Sequence, residues 1–194
     1  TFLNEVISQV KKSFDGQEGR WPRYVQEDLL PRLHGFELMM APYTIAHLKL
    51  ASTINESGAE IGNARLGVYL TNSLEKIEDK QKTLFDIGLA KAITEESHEA
   101  NIVKNRLPIM VVIGNPPYSG ESMNPGYTDN DVYKFEPGTK HKLQERNSKW
   151  INDDYVKFIR YGQHFIEKNG SGILAFINPH GFLDNTTFRG MRWH

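Results

Sequence analysis

The sequence predicts an α/β protein of the doubly wound kind, with a mostly parallel sheet, on three observations. Short runs rich in β-branched and aromatic residues alternate with longer stretches whose apolar residues recur at helical spacing. The order is helix, strand, helix, strand, long connection, strand, helix, strand, which is the rhythm of crossover units on a parallel sheet. Each apolar run also breaks off at a polar or Pro-containing signature, and ligands of open α/β sheets bind outside the carboxyl ends of the strands. At 194 residues the chain is long enough for one domain with a sizeable core.

Each element has its own signal. Residues 2–14 set Phe2, Leu3, Val6, Ile7, Val10 and Phe14 on one helical face with Asn4, Glu5, Gln9 and Lys11 opposite, and Gly16 opens the polar run that ends the helix. A second helix is expected from Trp21 to Leu30, with Pro22 in its first turn, where a missing N–H is harmless. Leu33 to Leu38 reads as a short buried strand, and Pro42 opens a helix from Tyr43 to Ala51 with Ile45, Leu48 and Ala51 turned inward. Ser52 to Arg65, rich in Gly, Ser and Asn, reads as loop, and Leu66 to Leu70 as a strand ending at Thr71-Asn72-Ser73. Residues 84–106 read as a charged helix with Phe85, Ile87, Leu89, Ile93 and Ile102 as its apolar positions. Ile109 to Ile113 is expected to be a buried strand, because nothing in it alternates with polar residues. The polar, Gly/Pro-studded stretch from Tyr118 to Gly138 is too long for an ordinary connection, and such stretches are usually functional or mobile. Asp153 or Asp154 caps an amphipathic helix carrying Tyr155, Phe158, Ile159, Gln163, Phe165 and Ile166, which stops at Gly170. Ile173 to Ile177 follows as a buried strand ending at Asn178-Pro179.

Composition narrows the function. With no cysteine there are no disulfides or thiolate metal sites, and no apolar stretch is long enough to span a bilayer. No signal peptide is visible, so the expectation is a cytoplasmic protein with no membrane partner. The seven histidines form no ligand-spaced set with a carboxylate, so no metal is expected, and His47 reads as a packed or solvated side chain. A net charge of −1 does not advertise nucleic-acid binding, so phosphate contacts would come from local patches or from elsewhere in a longer chain. Lys140-His141-Lys142 with Arg146, Lys149 and Trp150 is one such patch, and equally fits a solvated loop face. The ends, at Thr1 and after Arg189-Gly190-Met191-Arg192-Trp193-His194, look like cuts in a longer chain.

The chemistry concentrates at Asn115-Pro116-Pro117-Tyr118, where the strand ending Val111-Val112-Ile113-Gly114 delivers an amide, a rigid carbonyl and a ring. A planar exocyclic amine such as adenine N6 is a poor nucleophile because its lone pair is delocalised. Two acceptors gripping its two hydrogens, the Asn115 side-chain oxygen and the Pro116 carbonyl, would aim that lone pair. Tyr118 offers a face for a flipped base, worth roughly 1–3 kcal/mol by stacking. A plain strand-terminating turn also fits this tetrapeptide. Glu37, at the end of an earlier strand, suits a ribose diol because a carboxylate accepts two hydrogen bonds, and also fits an ordinary strand-end charge. Asn72 at the next strand end suits an adenine edge, and also a turn.

These residues carry a resemblance. Asn115-Pro116-Pro117-Tyr118 matches the catalytic motif of amino-directed, adenine-N6 DNA methyltransferases that use S-adenosylmethionine. Gly35-Phe36-Glu37-Leu38 with Ala41-Pro42-Tyr43, Tyr69-Leu70-Thr71-Asn72-Ser73-Leu74-Glu75, Asp154-Tyr155-Val156-Lys157-Phe158 and Thr187-Phe188-Arg189-Gly190-Met191-Arg192 resemble a narrower group. That group is the methyltransferase region of type ISP, single-polypeptide, restriction–modification enzymes. The resemblance covers nearly the whole chain and implies residues 1–194 to be part of a methyltransferase catalytic domain of the class I fold. It implies that Asn115 and Pro116 hold the target amine of a flipped adenine in double-stranded DNA, with Pro117 completing the motif and Tyr118 stacking on the base. On the cofactor side it implies Glu37 at the ribose, Asn72 (in place of the family's more frequent Asp) and Ser73 at the adenine, and Thr1 and Asn115 as further cofactor contacts. It further implies helicase, nuclease and target-recognition domains elsewhere in the protein. In that family the first strand and its glycine-rich loop directly precede the position of Thr1, so a fragment beginning there is expected to bind cofactor weakly and to be inactive alone. Protein-glutamine and ribosomal-RNA methyltransferases share the motif, and a catalytically inert remnant is the remaining alternative.

Overall fold

The structure is a computed structural model that describes residues 1–75, 89–145 and 147–194, with residues 89–93 given by backbone alone. The described residues divide into two compact units, Thr1–Ser73 with residues 89–107, and Leu74 and Glu75 with Pro108–His194.

In the first unit, helix α1 (Phe2–Lys12) forms where its apolar stripe predicts, with Ile7 buried and Leu3, Val10 and Phe14 packed beside it. Gly16 takes φ +78°, a turn that a residue with a Cβ resists. Helix α2 (Trp21–Tyr24) widens into a π-helical turn over Val25–Leu29 and closes as a 3₁₀ turn over Leu30–Arg32. This places Trp21, Val25, Leu29 and Leu30 in the core, and the indole N–H of Trp21 donates to Ser57 Oγ at 2.8 Å.

Strand β1 (Gly35–Glu37) pairs in parallel with β2 (Val68–Leu70), Glu37 opposite Leu70, and α3 (Met40–Glu56) connects them. Both strands are shorter than expected, and β1 is half-buried rather than buried. Helix α3 continues past Ala51 through residues expected to be loop. Its inward positions are Tyr43, Ala46, Leu50, Ala51 and Ile54, while Ile45 and Leu48 are 52% and 68% exposed, so two of the expected inward residues point the other way. The helix is apolar around much of its circumference, so spacing alone admitted two faces. Helix α4 (Leu89–Arg106) turns Ala100, Val103 and Lys104 inward and leaves Ile102 exposed, against expectation. Phe85 and Ile87 lie outside the described residues, as do the side chains of Leu89 and Ile93. On the edge of β2 away from β1, Glu96 Oε2 accepts the Leu70 N–H at 3.2 Å and His47 Nε2 stands 3.3 Å from the Val68 carbonyl oxygen. That blunts a strand edge. It also makes His47 a packed side chain, edge-on to Tyr43.

In the second unit, β3 (Val111–Gly114) pairs in parallel with β4 (Ile173–Phe176), and α5 (Asp154–Asn169) connects them. Gly170 ends α5 at φ +77°, as its position predicts. Neither strand is buried throughout. Val111, Ile113 and Ile173 are exposed, while Val112, Leu174 and Phe176 are half-buried. Helix α5 covers only one face, where Leu174 fills the space that Gly162 leaves by lacking a side chain. The stretch after Tyr118 is built into the unit: a 3₁₀ turn at Asp129–Lys134 buries Tyr133 in a core with Ile151, Tyr155, Val156, Phe188 and Met191, the last from α6 (Arg189–Trp193). The parallel pairing and the α/β alternation match the sequence reading, but the described strands form two two-stranded sheets, one per unit, rather than a single sheet. No helix among the described residues is long and apolar enough to cross a membrane.

Candidate active site

The first unit brings Glu37, Asn72 and Ser73 to the ends of neighbouring strands. Pairing continues one step past β2, where the Thr71 N–H donates to the Glu37 carbonyl at 2.8 Å, so Asn72 and Ser73 follow directly beyond Glu37's partner strand. The half-buried Glu37 carboxylate turns back on its own chain. Its Oε1 accepts the N–H groups of Leu38 at 3.0 Å and Met39 at 3.3 Å, closing the turn into α3 where negative charge is favoured by the helix dipole. An ionised carboxylate has about four acceptor positions, so this turn role leaves capacity for a diol. The Asn72 carbonyl accepts from Lys104 Nζ at 2.7 Å, and the same ammonium lies 5.3 Å from the centre of the Phe36 ring. Lys104 is 6% exposed and ties α4 to both strand ends. Nothing in the sequence marks it, since a lysine in the last turn of a charged helix is ordinary. Thr1 stands exposed ahead of α1, where its carbonyl accepts the Glu5 N–H at 3.2 Å, a bond that belongs to the helix.

In the second unit, β3 ends at Gly114 against the Phe176 ring of β4 and releases Asn115-Pro116-Pro117-Tyr118. Pro116 is buried, whereas Asn115, Pro117 and Tyr118 are exposed, so the proline anchors the turn and the amide and ring project. Tyr118 borders an open cleft of about 410 Å³, walled by Trp150, Tyr155, Pro179 and Phe188, with Asp153 and Asn185 on its lining. Its volume falls within the range of small-molecule sites, and its aromatic walls suit a planar ring. Of these, the sequence presents Trp150 only as part of a basic patch, and Tyr155 and Phe188 only as apolar or motif positions. Their convergence is tertiary.

Asp153 and Asp154 correct an expectation. Asp153 is the residue preceding α5, yet neither carboxylate caps the helix. Both reach into the loop that follows Tyr118. Asp153 Oδ2 accepts the Gly120 N–H at 3.0 Å. Asp154 accepts from Ser122 Oγ at 2.6 Å, the Met123 N–H at 3.1 Å and Asn124 Nδ2 at 3.0 Å. Lys157, one turn into α5, donates to Ser122 Oγ at 2.9 Å and to the Asn124 carbonyl at 2.5 Å. Burial lowers the Lys157 pKa, and the Asp154 charge works against that lowering. A cap would have satisfied local N–H groups; the loop amides offered donors from a distance that no local pattern reveals.

Residues 33–194 match the Eco57I restriction-modification methylase family. The chain belongs to that family. The matched span takes in Glu37, Asn72, Ser73, Asn115–Tyr118 and the Asp153–Lys157 cluster, and leaves Thr1 outside. Among solved structures, the chain is similar to the ATP-dependent Type ISP restriction-modification enzyme LlaBIII bound to DNA, with TM-score 0.68 and 22% identity over 98% of this chain and 12% of that one. It is also similar to a nuclease-deletion mutant of the Type ISP enzyme LlaGI in complex with a DNA substrate mimic, with TM-score 0.71 and 22% identity over 99% of this chain and 16% of that one. At this identity the likeness is one of fold. The chain spans less than a fifth of either relative. No curated protein matches it.

The basic patch is exposed and divided between two segments. Lys142 makes an antiparallel bridge with Phe135, the Glu136 N–H donates to the His141 carbonyl at 3.0 Å, and Lys140 stands at the turn beside Gly138. Lys149 Nζ lies 5.3 Å from the centre of the Trp150 ring. Arg146 is outside the described residues.

Proposed function

We propose that the chain is part of the catalytic domain of a DNA adenine-N6 methyltransferase in a restriction–modification system, with S-adenosylmethionine as methyl donor. The observation that carries this reading is the Asn115–Tyr118 turn, which leaves β3 with Pro116 buried and with the Asn115 amide and Tyr118 ring exposed beside an aromatic cleft. The finer fold assignment, a class I methyltransferase sheet, goes with it, supported by parallel pairing in both units and by the family match.

The residues present fit such a cofactor: a carboxylate and an amide at adjacent strand ends in the first unit offer acceptors for a ribose diol and an amino-substituted ring. In this reading Glu37 holds the ribose and Asn72 and Ser73 the adenine, with Thr1 as a further cofactor contact. Bound S-adenosylmethionine supplies an electrophilic methyl group on a sulfonium that is already a good leaving group. The work left to the protein is positioning and polarisation. Asn115 Oδ1 and the Pro116 carbonyl accept the two N–H groups of the adenine amine, concentrating its lone pair on one side. Tyr118 stacks on the base and returns roughly 1–3 kcal/mol against the few kcal/mol needed to extrude it from the duplex. The DNA bound to LlaBIII, the DNA substrate mimic bound to LlaGI and the nuclease that the LlaGI mutant lacks support a DNA substrate and a nuclease elsewhere in the full-length protein, with helicase and target-recognition parts as further proposed partners.

The test is methyl transfer by the full-length protein from radiolabelled S-adenosylmethionine to duplex DNA, with digestion and chromatography of the labelled nucleoside. Label in N6-methyladenine, reduced roughly 100-fold or more by Asn115→Ala, is the expected result, the size usual for loss of one pre-aimed polar group. Label in a release-factor-type protein or in ribosomal RNA, and none in DNA, would replace this reading with the other users of the motif.

A further inference from the structure

We propose that Asp153, Asp154 and Lys157 are positioning residues, which hold residues 120–124 in the shape that presents the Tyr118 ring to the target base. The proposal rests on the methyltransferase reading above. Two carboxylates and an ammonium are 5%, 1% and 3% exposed at the start of α5. Burying such charges is costly unless each is paired and hydrogen-bonded, and neither aspartate side chain caps α5.

Their partners lie almost wholly in one place. Gly120, Ser122, Met123 and Asn124 supply every side-chain bond given above, and all follow Tyr118 within a few residues. Ser122 Oγ is the centre: it donates to Asp154 and accepts from Lys157 and from the Asn124 N–H at 3.0 Å. Gly120, at φ +78°, lets the chain pass under the Trp150 ring, whose Cζ3 stands 3.3 Å from where a side chain would begin. Apolar burial does not hold this loop, because Tyr118 is 52% and Met123 84% exposed. A ring that must receive a flipped base therefore gets its position from charge-assisted bonds one loop away, and small misplacements of such groups cost up to about 100-fold in rate.

The experiment uses the full-length protein and single-turnover methylation of duplex DNA. Asp154→Asn keeps the shape but turns one acceptor oxygen into a donor facing other donors. It is expected to slow methylation roughly 10- to 100-fold, leaving the KM for S-adenosylmethionine as in the parent and the protein folded, though less stable, at the assay temperature. The fluorescence of 2-aminopurine at the target position should change in the same direction as in Tyr118→Ala. The double variant Asp154→Asn with Tyr118→Ala should be no slower than Tyr118→Ala alone, because both act through one ring. Should Asp154→Asn unfold, Ser122→Ala and Ser122→Thr decide: the alanine variant is expected to slow methylation and the threonine, which keeps the hydroxyl, to restore it. Independent, multiplicative effects of Asp154→Asn and Tyr118→Ala, or parent-like rates in Asp154→Asn or Ser122→Ala, would overturn the proposal. A Tyr118→Ala variant as fast as the parent would instead overturn the methyltransferase reading beneath it.

Discussion

Gly190→Ala is expected to loosen the second unit by about 2 kcal/mol, although alanine is the better helix former. Gly190 is buried in α6, in the segment that packs against the Asp129–Lys134 turn. A methyl group built there lies 2.8 Å from Leu143 Cδ1 and 2.9 Å from the carbonyl carbon of Tyr133, and closer still to that carbonyl's oxygen. Leu143 could rotate aside, but a backbone carbonyl cannot. Overpacking of this kind costs typically 1–3 kcal/mol, and a backbone partner puts it at the top of that range, about 3 kcal/mol. Removing a glycine from a helix returns at most about 1 kcal/mol. The difference of about 2 kcal/mol corresponds to a roughly 30-fold larger open population. Hydrogen–deuterium exchange of the full-length protein, followed in peptides covering the Asp129–Lys134 turn and α6, reads that opening directly. Gly126→Ala is the control, because a side chain there meets nothing within 4 Å; its exchange should match the parent to within about twofold, the range of an unconstrained surface change. Exchange in Gly190→Ala indistinguishable from Gly126→Ala would refute the packing argument.

Two further outcomes follow from the geometry. Glu37→Gln keeps an oxygen for the Leu38 and Met39 N–H groups, so the turn into α3 should survive while affinity for S-adenosylmethionine falls roughly 10-fold through a lost charge-assisted bond; equal titration curves for variant and parent would remove Glu37 from the cofactor side. Burial pushes the Tyr155 phenol up to about 12 and raises Tyr127, Tyr133 and Tyr161 as well. A phenol whose folded pKa exceeds its unfolded value of about 10 contributes stability that is complete below pH ~10 and is lost as the pH rises toward the folded value. The second unit should accordingly weaken above pH ~10, its tyrosinate absorbance appearing together with faster hydrogen exchange; immediate titration of all the tyrosines with no change in exchange would contradict this.

Much of the fold was written in local pattern. The stripe Leu3, Ile7, Val10 and Phe14 gives α1, Gly170 at positive φ stops α5, and the Val111–Gly114 run followed by prolines makes a strand that must end there. The same holds for the candidate site: Asn115 to Tyr118 announces itself because amide, prolines and ring are consecutive, and Glu37 and Asn72 because one ends a strand and the other follows just beyond one.

Other features needed the partner element. The inward face of α3 could not be chosen from an apolar circumference, and the sheet chose Leu50 and Ile54 over Ile45 and Leu48. The strands around Val111 and Ile173 read as buried because an uninterrupted apolar run looks the same whether one face or two are covered. Only the position of α5 shows that one face is. Lys104 became a link between strand ends, and Asp153 and Asp154 turned from caps into ties for the loop after Tyr118, through partners some thirty residues away in sequence. By itself, then, the sequence determined the candidate residues and the strand ends that present them, because those depend on neighbours along the chain. Only the tertiary structure decided what holds them in place, because buried charge finds its partners through space.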